Sequence, residues 1–252
     1  MNSHKTEGKE PVVEPADGQS PISVKKNANF FRDENERYRD SVHAMDTYRR
    51  ISSVLNDNLN GLGCLLDIGN GGVFDYETSG IGHIVGLDLF LDSLSKSETI
   101  PLNVEFVQGS ALQIPQNLSG FDGVLMVMLV HHLVGKTVES CIRNVRTAFS
   151  EAYRVLSPGG RLMIVESCVP NLFFNFEKVI FPVAVPIIER TIKHPPTIQY
   201  PPKILLELIK EAGFEDVKAE YIPKGRFILQ FGVKVPSCLT PARPVLFTGR
   251  RV

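Results

Sequence analysis

The strongest constraint on this chain is residues 64–72, Cys-Leu-Leu-Asp-Ile-Gly-Asn-Gly-Gly, followed 21 positions after Asp67 by Asp88, which closes Ile84-Val85-Gly86-Leu87. An apolar run, a glycine turn and a second apolar run ending in an acid describe two buried parallel strands joined by a crossover. Such a unit binds an adenosine-containing cofactor. Gly69 and Gly71 let the backbone approach a ligand closely. Asp88 is expected to accept hydrogen bonds from both ribose hydroxyls, with Leu89 beside it and Asn70 in the turn. Asp67 narrows the choice of ligand. In a nicotinamide or flavin site the turn faces a pyrophosphate, which a carboxylate in a low-dielectric site repels. The ammonium and sulfonium of S-adenosyl-L-methionine would be attracted. Asp67 thus argues against a nicotinamide-dependent oxidoreductase.

Three later segments continue the pattern. Gly109-Ser110-Ala111 follows Val104-Glu105-Phe106-Val107. Phe121-Asp122-Gly123-Val124-Leu125-Met126 reads as a fourth strand. Glu151 to Gly160 reads as a helix end and turn, leading into Arg161-Leu162-Met163-Ile164-Val165. In this order the chain resembles the class I S-adenosylmethionine-dependent methyltransferases of the small-molecule type, over about residues 60–168. The resemblance implies an α/β, Rossmann-like methyltransferase fold: a seven-stranded, mostly parallel sheet with helices on both faces, an N-terminal helix, and an insertion after the fifth strand. It also implies that Asp67, Gly69, Asn70, Gly71, Asp88, Leu89, Ser110, Ala111 and Met128 bind the cofactor, Ala111 through its backbone N–H. Two positions depart from the family pattern. Val73 stands where a third glycine is frequent. Ser110 stands where an acid often accepts from the adenine amino group, a weaker acceptor in the same place.

Strands are expected at 63–68, 83–88, 103–107, 121–127 and 160–166, and a helix from Val138 to Leu156. Apolar residues from Tyr38 to Leu55 at three- and four-residue steps predict a helix over about 33–58. Residues 1–28, rich in Lys, Glu, Pro, Ser and Asn, read as a flexible segment ahead of one methyltransferase domain at 29–252. Val73–Ser79 leaves room for about two turns of helix before Gly80 and Gly82. Residues 169–202 read as a substrate-side insertion, with prolines that prevent one long helix and with Phe173, Phe174, Phe176 and Phe181 lining or supporting an acceptor pocket. A helix over about 202–212 and strands near 216–221 and 244–249 follow, with 225–240 as a flap.

Composition adds exclusions. A net charge of −1 carries no electrostatic footprint for nucleic acid. Cys64, Cys141, Cys168 and Cys238 lack zinc-ligand spacing. No uninterrupted apolar run reaches bilayer-spanning length, and the N-terminus does not read as a signal peptide. These features predict a cytoplasmic protein, without stable membrane insertion, acting on a small-molecule acceptor, with a homodimer as one option.

Catalytic candidates follow the fourth strand in Met128-Leu129-Val130-His131-His132-Leu133. A histidine is the usual base for removing a proton from a hydroxyl or acidic carbon near neutral pH. His131 and His132 are expected to diverge, so that one faces the substrate, and Glu166 is a second candidate base. The segment lacks the Asn-Pro-Pro-Tyr clamp of amino-adenine chemistry and the acids of metal-dependent catechol methylation. The expected function is metal-independent methylation, most readily at oxygen, of a partly apolar metabolite such as a secondary metabolite or a lipid-like quinone. The alternative is a cofactor-binding partner subunit, or an enzyme using the same cofactor for a non-methylating reaction.

Overall fold

The structure is a computed structural model describing residues 45–91, 100–191, 195–230 and 233–252. In chain order these form α1 (Asp46–Leu59), β1 (Cys64–Ile68), β2 (His83–Asp88), β3 (Val104–Gln108), β4 (Phe121–Val127), α2 (Val138–Val155) and β5 (Leu156–Cys168). There follow α3 (Asn171–Thr191), α4 (Pro202–Glu211), β6 (Glu215–Tyr221), β7 (Phe227–Gln230), β8 (Val233–Pro236) and β9 (Arg243–Arg250). Residues 1–28, and the start of the expected N-terminal helix, lie outside the described residues.

Seven strands form one sheet in the order β3-β2-β1-β4-β5-β9-β6. β1 to β5 pair in parallel, and β9 pairs antiparallel with both β5 and the edge strand β6. The central strands are apolar throughout because both sheet faces are covered. Leu66, Ile68, Val124 and Ile164 face a core shared with α2 and α4. Leu65, Leu125 and Met163 face a second core with Ile51 and Leu55 of α1. This is the predicted Rossmann-like sheet, and its parallel strands end together at one edge.

Local sequence accounts for the helices. Thr137 caps α2: its hydroxyl accepts from the Ser140 N–H, and the Ser140 hydroxyl accepts from the Thr137 N–H. Val138, Cys141, Val145, Ala148, Phe149, Ala152 and Val155 then bury one face.

The structure corrects several expectations. Val73–Ser79 does not form two helical turns. Between β1 and β2 there is only a 3-10 turn, Thr78–Gly80. A short Phe-, Tyr- and Thr-containing stretch cannot repay helix nucleation, and side chains satisfy its backbone instead. Asn56 Oδ1 accepts from the Glu77 N–H, and Asn103 Nδ2 donates to the carbonyls of Thr78 and Ile81. Strand β5 starts at Leu156, so Ser157–Gly160 is a bulge within a 13-residue strand, where the register with β4 shifts.

The prolines of the insertion do not prevent one long helix: Pro182 and Pro186 lie inside the 21-residue α3. Both are exposed, so carbonyls that lose an N–H partner lie toward the outside, while Phe174, Phe181 and Val185 anchor the inner face in the core. Its window Asn171–Ile188 is long and apolar enough to cross a bilayer by length and composition alone, with a mean hydropathy of 1.4. Glu177 and Lys178 interrupt the apolar run, in keeping with the expectation that no uninterrupted run reaches that length, although the window's mean stays high. The outer face of α3 exposes Leu172, Phe176, Val179 and Val183.

Residues 225–240 contain the antiparallel hairpin β7–β8. It is tied to α1 through Thr47, whose hydroxyl donates to the Phe227 carbonyl and accepts from the Gly225 N–H. Phe149 is fully buried between α2 and the sheet. Phe149→Ala should lower unfolding free energy by about 3–5 kcal/mol, read from denaturant midpoints.

Candidate active site and cofactor cradle

Strand β1 delivers Asp67 to the carboxyl edge of the sheet, where it is 3% exposed. Its Oδ2 accepts from Tyr76 Oη at 2.8 Å and from Asn70 Nδ2 at 2.5 Å. Burial pushes this carboxyl up to about 7, against the two hydrogen bonds, which hold it down. Asn70 Nδ2 also donates to the Val73 carbonyl, and its Oδ1 accepts from the Gly72 N–H. The Asn70 side chain is thus spent in shaping the turn.

The turn needs its glycines for two different reasons. Gly69 has φ +75°, and a Cβ there would lie 2.7 Å from Leu129 Cδ1. The first glycine is therefore locked against the segment after β4. Gly71 has φ +60°, and a Cβ there would meet nothing within 4 Å. That open space is where a ligand can come against the backbone. Asp88, at the end of β2, accepts from the Gly71 N–H through Oδ2 and from the Phe90 N–H through Oδ1, both at 2.9 Å. Burial raises its pKa, and the N–H groups of Phe90, Gly71 and Leu89 oppose this. Each oxygen keeps acceptor capacity for a ribose hydroxyl.

Ser110 and Ala111 follow β3. The Ser110 hydroxyl accepts from the Leu112 N–H at 3.1 Å, within a small turn that pairs Ser110 with Gln113. Ala111 is buried beneath it. Met128 follows β4 with φ +51° and donates its N–H to the Val165 carbonyl at 2.8 Å. A non-glycine residue in the left-handed region is strained, and this one turns the chain so that Leu129 reaches Gly69.

The same turn positions the histidines. Strand β4 stops at Val127 opposite Val165, so Glu166 projects just beyond it. The 3-10 turn Val130–His132 lies there. His131 Nδ1 is 2.6 Å from Glu166 Oε1, and Glu166 is 0% exposed. Glu166 also accepts from the N–H groups of His131 and Ser167. An imidazole oriented by a buried, fully engaged carboxylate is the arrangement of a general base with its orienting partner. The expected divergence of the two histidines is corrected: their rings sit 4.2 Å apart at 41°. The tight 3-10 turn is held by His132 N–H donating to the Leu129 carbonyl, which keeps the rings together.

Sequence reasoning missed Tyr76 and Glu177. Glu177 of α3 accepts from the Gln199 N–H at 3.3 Å, while the adjacent Ile198 N–H donates to the His131 carbonyl. Burial pushes Glu177 up to about 7, with His131 nearby opposing. A lone acid in an otherwise apolar stretch was the only signal for it. For Phe173, Phe174, Phe176 and Phe181 the structure divides the group. Phe174 and Phe181 are core, Phe173 packs against it, and Phe176 is 61% exposed. Among the described residues, no group of three or more His, Cys, Asp or Glu side chains is placed to hold a metal.

A seven-stranded sheet with one antiparallel strand, a glycine turn facing open space, and an acid at or next to the end of each of the first two strands are features of the Rossmann-like methyltransferase fold. The family model described as a methyltransferase domain matches residues 66–164. The demethylmenaquinone methyltransferase of Oceanobacillus iheyensis is 28% identical over 173 aligned positions, with 61% of this chain and 68% of that one covered. The enzyme of that name from Lactococcus lactis is also 28% identical over 173 residues, with 61% and 64% covered. The matched stretch thus spans about two thirds of each relative's length. The N-methyltransferase NodS of Bradyrhizobium japonicum, solved with S-adenosyl-L-homocysteine, superimposes with a TM-score of 0.55 at 12% identity, covering 92% of this chain and 99% of that one. A possible histamine N-methyltransferase from Thermotoga maritima gives 0.54 at 16%, with 89% and 99% covered. Residues 66–164 thus match a methyltransferase domain, and the chain is similar in sequence and fold to S-adenosylmethionine-dependent methyltransferases.

The cradle gives a direct test. Asp88→Ala should weaken S-adenosyl-L-methionine binding by at least about tenfold, since charge-assisted hydrogen bonds are worth about 1.5–3 kcal/mol each. Gly69→Ala should lower both affinity and thermal stability, because it strains φ and collides with Leu129. Calorimetry and thermal melts separate the two outcomes.

Proposed function

We propose that this protein methylates an oxygen of a partly apolar, hydroxyl-bearing small molecule, with His131 as general base and Glu166 as its orienting partner. The observation that carries the reading is the 2.6 Å His131–Glu166 contact on a buried carboxylate, one turn from the Leu129 side chain that packs on Gly69. The relatives named for demethylmenaquinone support an acceptor of the lipid-like quinone type. The apolar character of α3 beside the dyad supports it too.

In this reading Asp67 and Asp88 hold the cationic and ribose parts of the cofactor, S-adenosyl-L-methionine, and the backbone at Gly71 and Ala111 lines its path. The cofactor supplies an activated methyl group on a sulfonium, so the protein has mainly to orient the acceptor and exclude water. His131 keeps its Nδ1 proton on Glu166, which leaves Nε2 to take the acceptor's hydroxyl proton. Glu166 then faces an imidazolium and stabilises it, with the Ser167 and His131 N–H groups fixing the carboxylate. No step requires a metal. Four free cysteines, two of them buried, are consistent with action in a reducing cytoplasm.

The test is formation of S-adenosyl-L-homocysteine with a panel of hydroxylated apolar acceptors. His131→Ala should reduce turnover by about 10²–10⁴-fold while leaving cofactor affinity near wild type. Glu166→Gln should lower turnover less and move the pH optimum. Turnover that survives in both variants would exclude base catalysis by this pair.

A further inference from the structure

We propose that Tyr76 is a positioning residue for the cofactor's cationic end: its hydroxyl holds the Asp67 carboxylate ionised and aimed, in a crossover that lacks the customary helix. The inference rests on the methyltransferase reading and concerns how this chain engages the cofactor.

In the usual form of this unit, a helix begins at the glycine turn and its N-terminus supplies positive potential there. Here the connection from β1 to β2 holds only the 3-10 turn Thr78–Gly80. Residues 73–77 are pinned by aromatic packing instead. Tyr76 meets Phe74 edge-on at 5.8 Å, and Phe74 lies 6.2 Å from Phe106 of β3. This packing buries Tyr76 to 6% exposure and drives its hydroxyl onto Asp67 Oδ2. The outer side of the ring borders a cleft of about 250 Å³, shared with Tyr48, Arg49 and Ser52 of α1. Tyr76 is thus the partition between that cleft and the buried acid.

The electrostatics require such a donor. Asp67 is buried, and the charged groups facing it are both acids, Asp75 from the same loop and Asp88 from β2. Both push its pKa upward, in the same direction as burial. Only the hydrogen bonds from Tyr76 and Asn70 favour the ionised form. Tyr76 itself remains a donor at every physiological pH, because burial and the neighbouring Asp67 raise its pKa far above the ordinary value. The two hydrogen bonds fall on Oδ2, which leaves Oδ1 for an ammonium.

The linkage has a definite sign. A cation binds the carboxylate and a proton competes for it, so affinity must fall as pH drops below about 7, where Asp67 protonates. Removing the hydroxyl removes a bond to the ionised form, raises the pKa of Asp67 further, and steepens the fall over the same window. The ring of phenylalanine keeps the packing.

The experiment is calorimetric titration of the full chain with S-adenosyl-L-methionine at pH 6.0 and 7.5, a window in which the ligand's α-amino group stays mostly protonated. One titrating site near pH 7 gives a wild-type loss of roughly eightfold between the two pH values, and Tyr76→Phe should give a larger loss over the same window. Asp67→Asn should bind weakly with little pH dependence. In steady state, Tyr76→Phe should raise KM for the cofactor more than it lowers kcat. Superimposable pH profiles for wild type and Tyr76→Phe, with the cofactor bound by both, would overturn the role of Tyr76 alone. Failure of the wild-type chain to bind at either pH would overturn the methyltransferase reading and this proposal with it.

Discussion

A carboxylate removed from water at the end of a central strand governs the organisation of this protein. Asp67 sits between Gly86 of β2 and Leu125 of β4 in the parallel register, with apolar layers above and below. Burial of an acid is unfavourable unless it is hydrogen-bonded and finds a cation. The turn geometry at 69–72, the conformation of Asn70 and the packing of Phe74 and Tyr76 all serve that acid. The glycine turn reaches beyond it: Gly69 accommodates Leu129, and Leu129 belongs to the strained turn at Met128 that sets the histidines. Cofactor cradle and candidate base are therefore one mechanical unit.

The second buried acid, Glu166, follows a different logic. It owes its place to the length of β5, which runs past the end of β4 by the residues Glu166 to Cys168. Those residues still pair with Val245, Pro244 and Arg243 of the antiparallel β9, so the extension is rigid. Three donors converge on the carboxylate: the His131 ring and the N–H groups of His131 and Ser167. Helix α3 then covers this end of the sheet from the same side, and Ile198 and Gln199 clip the helix to the histidine turn.

The insertion shows how tertiary packing overrides local preference. Two prolines remove two N–H donors from α3 and would break an isolated helix. Phe174 buries against Tyr200 and Phe181 joins the same core, and this burial outweighs the loss. The crossover at 73–79 is the converse case. Its length allows two helical turns, but ring contacts among Phe74, Tyr76 and Phe106 stabilise an irregular path more than a short helix could.

The alternation of apolar runs with turn and helix signals was enough to define the sheet, its parallel strands and the placement of Asp67, Gly69, Gly71, Asp88 and Met128, because a buried parallel strand must be apolar and a glycine turn must be glycine. The pair His131 and Glu166 was visible only as separate candidates, 35 residues apart. Which histidine meets the acid depends on where β4 stops relative to β5, a register that no local pattern encodes. Tyr76 carried no sequence signal and Glu177 only that of a lone acid in an apolar stretch, for the same reason: each matters through a partner brought near by packing. Sequence alone determined the class of ligand, through a carboxylate placed where a phosphate would be repelled. Tertiary structure alone decided that Tyr76 is packed onto that carboxylate and which base is oriented, since the ring packing against Phe74 and Phe106 and the meeting of His131 with Glu166 are set by the closure of the fold.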